Sequence, residues 1–172
     1  MNEFASLIRD IPDFPEPGVV FKDITPILAD ADKFARLVAA MADPFRDKGV
    51  TQVAGIEARG FTLAAPIALE LNAGFIPIRK PGKLPYETVG EEYTLEYGSD
   101  RLEIHVDAAG PSDRVLLVDD VIATGGTAAA ALRLVKTTGA EVVGFSVFIE
   151  LAFLNGKGTL PEVPYHALLV YD

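Results

Sequence analysis

The chain has 172 residues, 49% hydrophobic and 23% charged, with no cysteine and a formal net charge of −10. This is the length and composition of one globular domain, which excludes a disordered or collagen-like chain. The missing cysteines exclude a disulfide scaffold, a thiolate zinc site and thiol catalysis, and the acidic balance argues against binding to nucleic acid or an anionic membrane.

The first residues, Met1-Asn2-Glu3-Phe4, have neither the basic flank nor the apolar core of a signal peptide. A short helix is expected from Phe4 to Arg9, then an extended, irregular path through Ile11-Pro12-Asp13-Phe14-Pro15-Glu16-Pro17-Gly18, where three prolines forbid a helix. Val19-Val20-Phe21 is a short β-prone stretch, and Asp23-Ile24-Thr25-Pro26 turns the chain. From about Asp32 a helix carries Phe34, Leu37, Val38, Met41 and Phe45 on one face, and Gly49 is placed to end it. Val53-Ala54-Gly55-Ile56 looks like a buried strand leading into Glu57-Ala58-Arg59-Gly60. A second helix bears Leu63, Ile67 and Leu71, with Pro66 in its first turn or at a kink.

Phe75-Ile76-Pro77-Ile78 is the next strand, followed by the basic cluster Arg79, Lys80 and Lys83 and a long loop to Glu92. Tyr93 to Tyr97, Gly98-Ser99, and the alternating Leu102, Ile104 and Val106 suggest a hairpin. Val115 to Val118 is an unbroken apolar stretch, as in a strand covered on both faces of a parallel sheet. A helix with Ala131, Leu132 and Val135 follows, and Glu141 to Glu150 and Tyr165 to Val170 complete the strands. The apolar stretch Val142 to Leu154 is interrupted by Glu150 and too short to span a bilayer, so a soluble cytoplasmic protein is expected. Alternating strands and helices predict an α/β fold.

The chemistry concentrates at residues 115–127, where a buried strand delivers Asp119 and Asp120 to a turn of Ala123, Thr124, Gly125, Gly126 and Thr127. In open α/β sheets ligands bind at the carboxyl ends of the strands. A small-residue turn at a helix N-terminus gathers backbone N–H groups around an anion. Two adjacent acids would repel a phosphate, so they suit ribose hydroxyls or the hydration shell of Mg²⁺.

This segment resembles the 5-phosphoribosyl-1-pyrophosphate (PRPP) motif of type I phosphoribosyltransferases, and the likeness extends to the adenine phosphoribosyltransferase family. Pro12-Asp13-Phe14-Pro15 with Pro17-Gly18-Val19-Val20-Phe21-Lys22-Asp23-Ile24 is similar to that family's N-terminal base-binding segment. Glu57-Ala58-Arg59-Gly60-Phe61 is similar to its pyrophosphate loop. Arg79-Lys80-Pro81-Gly82-Lys83-Leu84-Pro85 and Tyr93-Thr94-Leu95-Glu96-Tyr97-Gly98 are similar to its flexible loop.

The resemblance implies one phosphoribosyltransferase domain over residues 1–172, with a mostly parallel central sheet flanked by helices. Residues 1–30 would form a base-binding hood, and 79–106 a flexible loop and hairpin. It implies transfer of the phosphoribosyl group from PRPP to N9 of adenine, giving AMP and pyrophosphate, in purine salvage. Ala123, Thr124, Gly125, Gly126 and Thr127 would hold the 5′-phosphate, and Asp119 and Asp120 the ribose hydroxyls. Arg59, Arg79 and Lys83 would contact pyrophosphate, and Val20, Phe21, Lys22 and Val121 would enclose adenine. Lys22 and Val121 stand where many members carry Arg and Leu. Glu96 would exchange a proton with the base at N7, a role that Ala123 cannot take, whereas 6-oxopurine enzymes often carry Asp there. The resemblance further implies Mg²⁺ brought mainly by PRPP without a protein metal site, a homodimer in which Arg79 reaches the neighbouring site, and a cis peptide between Glu57 and Ala58. A transferase for hypoxanthine, guanine or xanthine is the neighbouring alternative. A PRPP-binding regulator without catalysis is the alternative of a different class.

Overall fold

The computed structural model describes residues 3–94 and 99–172. After one 3-10 turn at Ala5–Leu7, β1 (Arg9–Pro12) pairs antiparallel with β2 (Val20–Asp23). Sequence periodicity gave no sign of β1, because two adjacent charges, an isoleucine and a proline show no alternation over so short a span. Its register is fixed by opposite charges set across the ladder: Arg9 faces Asp23 with N···O 2.6 Å, and Lys22 faces Asp10 at 2.8 Å. The proline-rich segment between them is held by Asp13, which accepts a hydrogen bond from the Gly18 N–H at 2.8 Å.

The expected turn at Asp23 is a helical one, α1 (Thr25–Leu28), with the Asp23 carboxylate accepting from the N–H and hydroxyl of Thr25. Helix α2 (Ala31–Ala42) is capped by Asp30, which accepts from the Lys33 N–H at 3.1 Å, and buries Leu37, Val38 and Met41. It does not continue to Gly49 as the periodicity suggests. Pro44 has no N–H to extend the ladder, so the chain tightens into a 3-10 turn over Asp43–Lys48 that still buries Phe45 and closes at a left-handed Gly49.

Strand β3 (Gln52–Ile56), helix α3 (Gly60–Glu70, with Pro66 in its interior) and β4 (Gly74–Ile78) form a parallel crossover unit. The antiparallel pair β5 (Thr88–Thr94) and β6 (Ser99–His105) follows. Here the structure corrects the sequence reading: β5 begins at Thr88, so the loop after β4 ends five residues earlier than expected. Glu91 and Glu92 obscured the strand. Glu91 is engaged by Arg133 on the neighbouring helix at 2.6 Å, which satisfies its charge within the fold.

Strand β7 (Arg114–Ile122), helix α4 (Gly126–Thr137), β8 (Glu141–Leu151) and β9 (Tyr165–Tyr171) complete a five-stranded parallel sheet of order β4-β3-β7-β8-β9. Alternate residues of β7 enter opposite cores. Leu116 and Val118 pack with Leu63 and Ile67 of α3 and Leu37 and Met41 of α2, whereas Val115 and Leu117 pack with Leu132 and Val135 of α4 and with Leu102 and Ile104 of β6. Such a strand must be apolar at every position, as its sequence is. The chain winds one way from β3 and the other way from β7, so their carboxyl ends part and leave a crevice. Among the described residues no helix is long and apolar enough to cross a membrane.

Candidate active site

The crevice between β3 and β7 is a cavity of about 200 Å³ lined by Ile56 to Arg59 and by Asp119 to Ala128. Its floor is a helix start. Gly125 adopts φ +83°, a conformation favoured by glycine, and no side chain caps α4. The first bond of the helix runs from the Ala129 N–H to the Gly125 carbonyl at 2.8 Å. The N–H groups of Gly126, Thr127 and Ala128 therefore have no intrahelical acceptor, and they add to the positive end of the helix dipole. All five residues expected to hold a phosphate, Ala123 to Thr127, line this cavity.

Asp119 and Asp120 lie within β7 itself, not after it, and both line the same cavity. The Asp120 N–H donates to the Asp119 carboxylate at 2.9 Å, and Asp120 is almost wholly buried. Burial pushes both carboxyls above the ordinary carboxylate value. Asp119 rises well above it because the neighbouring Asp120 charge adds to burial, while Arg59 draws Asp120 back down. Arg59 Nε lies 2.7 Å from Asp120 Oδ2, and its guanidinium carbon sits 4.6 Å from the centre of the Phe21 ring.

Arg59 thereby touches a second, smaller cavity of about 100 Å³, lined by Val19, Val20, Phe21, Lys22, Arg59, Val121 and Leu151. These include all four residues expected around a flat base: Val20, Phe21, Lys22 and Val121. The two cavities share Arg59 and Val121. The Lys22 ammonium is committed elsewhere, 2.8 Å from Asp10 and 4.4 Å above the Tyr171 ring.

Arg79 and Lys83 do not line either cavity. They gather around Glu57, whose peptide to Ala58 is cis. Its carboxylate accepts from Arg79 Nε at 3.2 Å and from the Lys80 N–H at 2.9 Å, while Arg79 Nη1 donates to the Lys83 carbonyl at 3.1 Å. Burial raises the Glu57 carboxyl, but those hydrogen bonds and the charges of Arg79 and Lys83 outweigh it and leave it below its ordinary value. Glu96 and Tyr97 fall in 95–98, outside the described residues.

Three residues at the site were not placed there by the sequence reading. Leu151 ends β8 at the wall of the small cavity. The buried Tyr93 of β5 accepts from Thr127 Oγ1 at 3.4 Å and donates to Asp100 at 3.0 Å, tying the hairpin to the turn at 123–127. Gly156 backs the turn from behind. All three lie far in sequence from the motif, and only the tertiary fold brings them there.

A family model described as the phosphoribosyl transferase domain matches residues 23–166. An adenine phosphoribosyltransferase from Myxococcus xanthus is 58% identical over 164 residues, covering 95% of this chain and 89% of that protein. The crystal structure of the adenine phosphoribosyltransferase from Rhodothermus marinus superposes with a TM-score of 0.94 at 52% identity, covering 98% of this chain and 96% of that one. That of Saccharomyces cerevisiae, complexed with adenine and an imino-altritol bisphosphate, has a TM-score of 0.92 at 38% identity and 97% coverage of both chains. With the paired cavities at the carboxyl ends of β3 and β7, the chain belongs to the type I phosphoribosyltransferases, in the adenine phosphoribosyltransferase family.

Proposed function

We propose that the two cavities sharing Arg59 and Val121 are the PRPP and adenine halves of one active site, and that residues 1–172 work as one domain. The enzyme transfers the 5-phosphoribosyl group of PRPP to adenine, giving AMP and pyrophosphate. The observation that carries the assignment is the contrast between neighbours: a nest of unpaired N–H groups beside two carboxylates, and an apolar slot walled by Phe21 and Val121.

In this reading the 5′-phosphate sits on the N–H groups of residues 123–127, and the ribose hydroxyls donate to Asp119 and Asp120. The bond from C1 to pyrophosphate breaks as the bond to N9 forms, through an oxocarbenium-like centre. Positive groups must meet the leaving pyrophosphate at that moment. Arg59 stands at the junction of the cavities for this role. Arg79 and Lys83 serve it from a neighbouring chain or after the segment held by Glu57 moves. The backbone around Phe21 reads the base edge, which accommodates Lys22, since its ammonium is occupied by Asp10 and Tyr171.

Mg²⁺ fits this site as a companion of PRPP. Two cavity carboxylates with raised pKa values, Asp120 buried and Asp119 partly so, favour a cation or hydroxyl donors beside them. Among the described residues no group of three or more His, Asp or Glu could form a protein cage. Asp119 and Asp120 would face the ion's water shell, and the ion would neutralise pyrophosphate oxygens. We assign the reaction to purine salvage in the cytoplasm, where a free base and a sugar phosphate would both be available.

Glu96 is assigned proton exchange with the base at N7, on the family pattern and because Ala123, in the nest, offers no acid. The Glu96→Gln variant is expected to lose about 10²-fold or more in kcat, the usual worth of a general acid–base group, with PRPP binding by calorimetry unchanged. An unchanged kcat would remove Glu96 from the chemistry.

A further inference from the structure

Behind the phosphate turn, the segment between β8 and β9 makes a 3-10 turn at Ala152–Leu154, then another at Gly156–Thr159. Gly156 is buried, although both its neighbours are exposed. It meets the phosphate turn main chain to main chain. A methyl group at Gly156 would lie 2.1 Å from the Ala123 carbonyl oxygen and 2.9 Å from the Gly125 nitrogen. The contact is reciprocal: a methyl at Gly125 would lie 2.2 Å from both the Gly156 carbonyl oxygen and Thr159 Oγ1. Thr159 fastens the two pieces. Its hydroxyl lies 2.8 Å from the Gly156 carbonyl and 3.3 Å from the Thr124 carbonyl.

The far side of this turn is anchored as well. Lys157 Nζ lies 5.1 Å over the Tyr165 ring, and the Tyr165 hydroxyl donates to the buried Glu150 carboxylate at 3.0 Å. Tyr165 and Glu150 belong to adjacent strands of the sheet. A chain of contacts therefore runs from the rigid sheet through residues 156–159 to the Ala123 and Thr124 carbonyls and the Gly125 nitrogen. The backbone so held, residues 123–125, also lines the cavity, so its position sets that of the turn's N–H groups.

We propose that Gly156 and Thr159 are positioning residues for the phosphate turn, setting the affinity of the site for the 5′-phosphate of PRPP without touching it. The inference rests on the reading of residues 123–127 as the 5′-phosphate site. Glycine at 156 is demanded by space and not by conformation, since its φ is negative and any residue could adopt it. Alanine there must push back the backbone of the turn. Anion nests depend on convergent N–H groups, and displacements near 1 Å in such frameworks cost about 10²-fold.

The test compares Gly156→Ala with Gly158→Ala, two residues along the same turn. The nearest atoms to a methyl at 158 would be the end of the Asn155 side chain, which can move aside. Calorimetry with ribose 5-phosphate and with inorganic pyrophosphate then separates the two anion subsites. Gly156→Ala is expected to weaken ribose 5-phosphate and raise the KM for PRPP by about tenfold or more, with pyrophosphate affinity and the KM for adenine unchanged. Thr159→Val should move the same quantities in the same direction by about threefold, as for one modest hydrogen bond. Gly158→Ala should match the wild type.

Wild-type affinity for ribose 5-phosphate in both Gly156→Ala and Thr159→Val would overturn the proposal. So would equal losses for both anions and both substrates, which would mark a merely structural role. If Gly156→Ala fails to fold, Thr159→Val decides alone by the same comparison. Failure of the wild type itself to bind ribose 5-phosphate would instead refute the site reading on which the proposal rests.

Discussion

Asp119 and Asp120 are adjacent acids in a strand, and they cannot both ionise cheaply inside the protein. Burial raises both above the ordinary value of 3.8, and the Asp120 charge raises Asp119 further, with Arg59 as the nearest compensating charge. In pH terms the native chain holds more protons than the unfolded chain in the window above 3.8, so this pair subtracts from stability as pH rises through that window. Glu57 has the opposite sign: its lowered pKa contributes stability above the ordinary 4.5 that is lost as pH falls through the folded value. Ribose hydroxyls and a cation favour the ionised acids, so PRPP with Mg²⁺ should expel protons from the pair on binding. Calorimetry at about pH 5 in buffers of different ionisation enthalpy should show proton release that is smaller in Asp119→Asn than in the wild type. Equal release in both would contradict this assignment.

At the level of elements, the hood formed by β1 and β2 carries one wall of the proposed base slot but is not part of the main sheet. Lys22 pins it to the end of β9 through Tyr171 and to its own partner strand through Asp10. Loss of one partly shielded cation–π contact and one ion pair is worth about 1 kcal/mol, or about fivefold in affinity. Lys22→Ala should therefore raise the KM for adenine about fivefold and leave the KM for PRPP unchanged. Lys22→Arg should restore it, because a guanidinium can also lie on Tyr171. Equal shifts in both KM values would mean that the hood does not act through the base slot.

The elements were legible in the sequence to unequal degrees. Val115 to Val118 announced a strand covered on both faces, and residues 119–127 announced the nest, because both are continuous in sequence. The end of α2 at Pro44 was legible in principle, but the burial of Phe45 carried the apolar period past it. Strands β1 and β5 were hidden because charges stand on them, and those charges are paired only after folding: Arg9 with Asp23, Glu91 with Arg133. The support from Gly156, Tyr93 and Leu151 depends on strand order, which no local pattern carries.

For the whole molecule, two features support a second copy. Arg79 lies outside both cavities of its own chain, and α2 and α3 bound an apolar groove of about 450 Å³ with Leu69 83% exposed at its edge. An exposed apolar face of this kind favours a covering partner. Leu69→Glu should shift the sedimenting species from dimer to monomer and lower activity with it, whereas a wild-type protein that sediments as a monomer would refute the arrangement. The account as a whole rests on base choice by an apolar slot beside Ala123. The direct measurement is to incubate the enzyme with PRPP, Mg²⁺ and equimolar adenine, hypoxanthine, guanine and xanthine, then to quantify each nucleotide by chromatography. The predicted result is AMP as the sole product; IMP, GMP or XMP as the main product would contradict it.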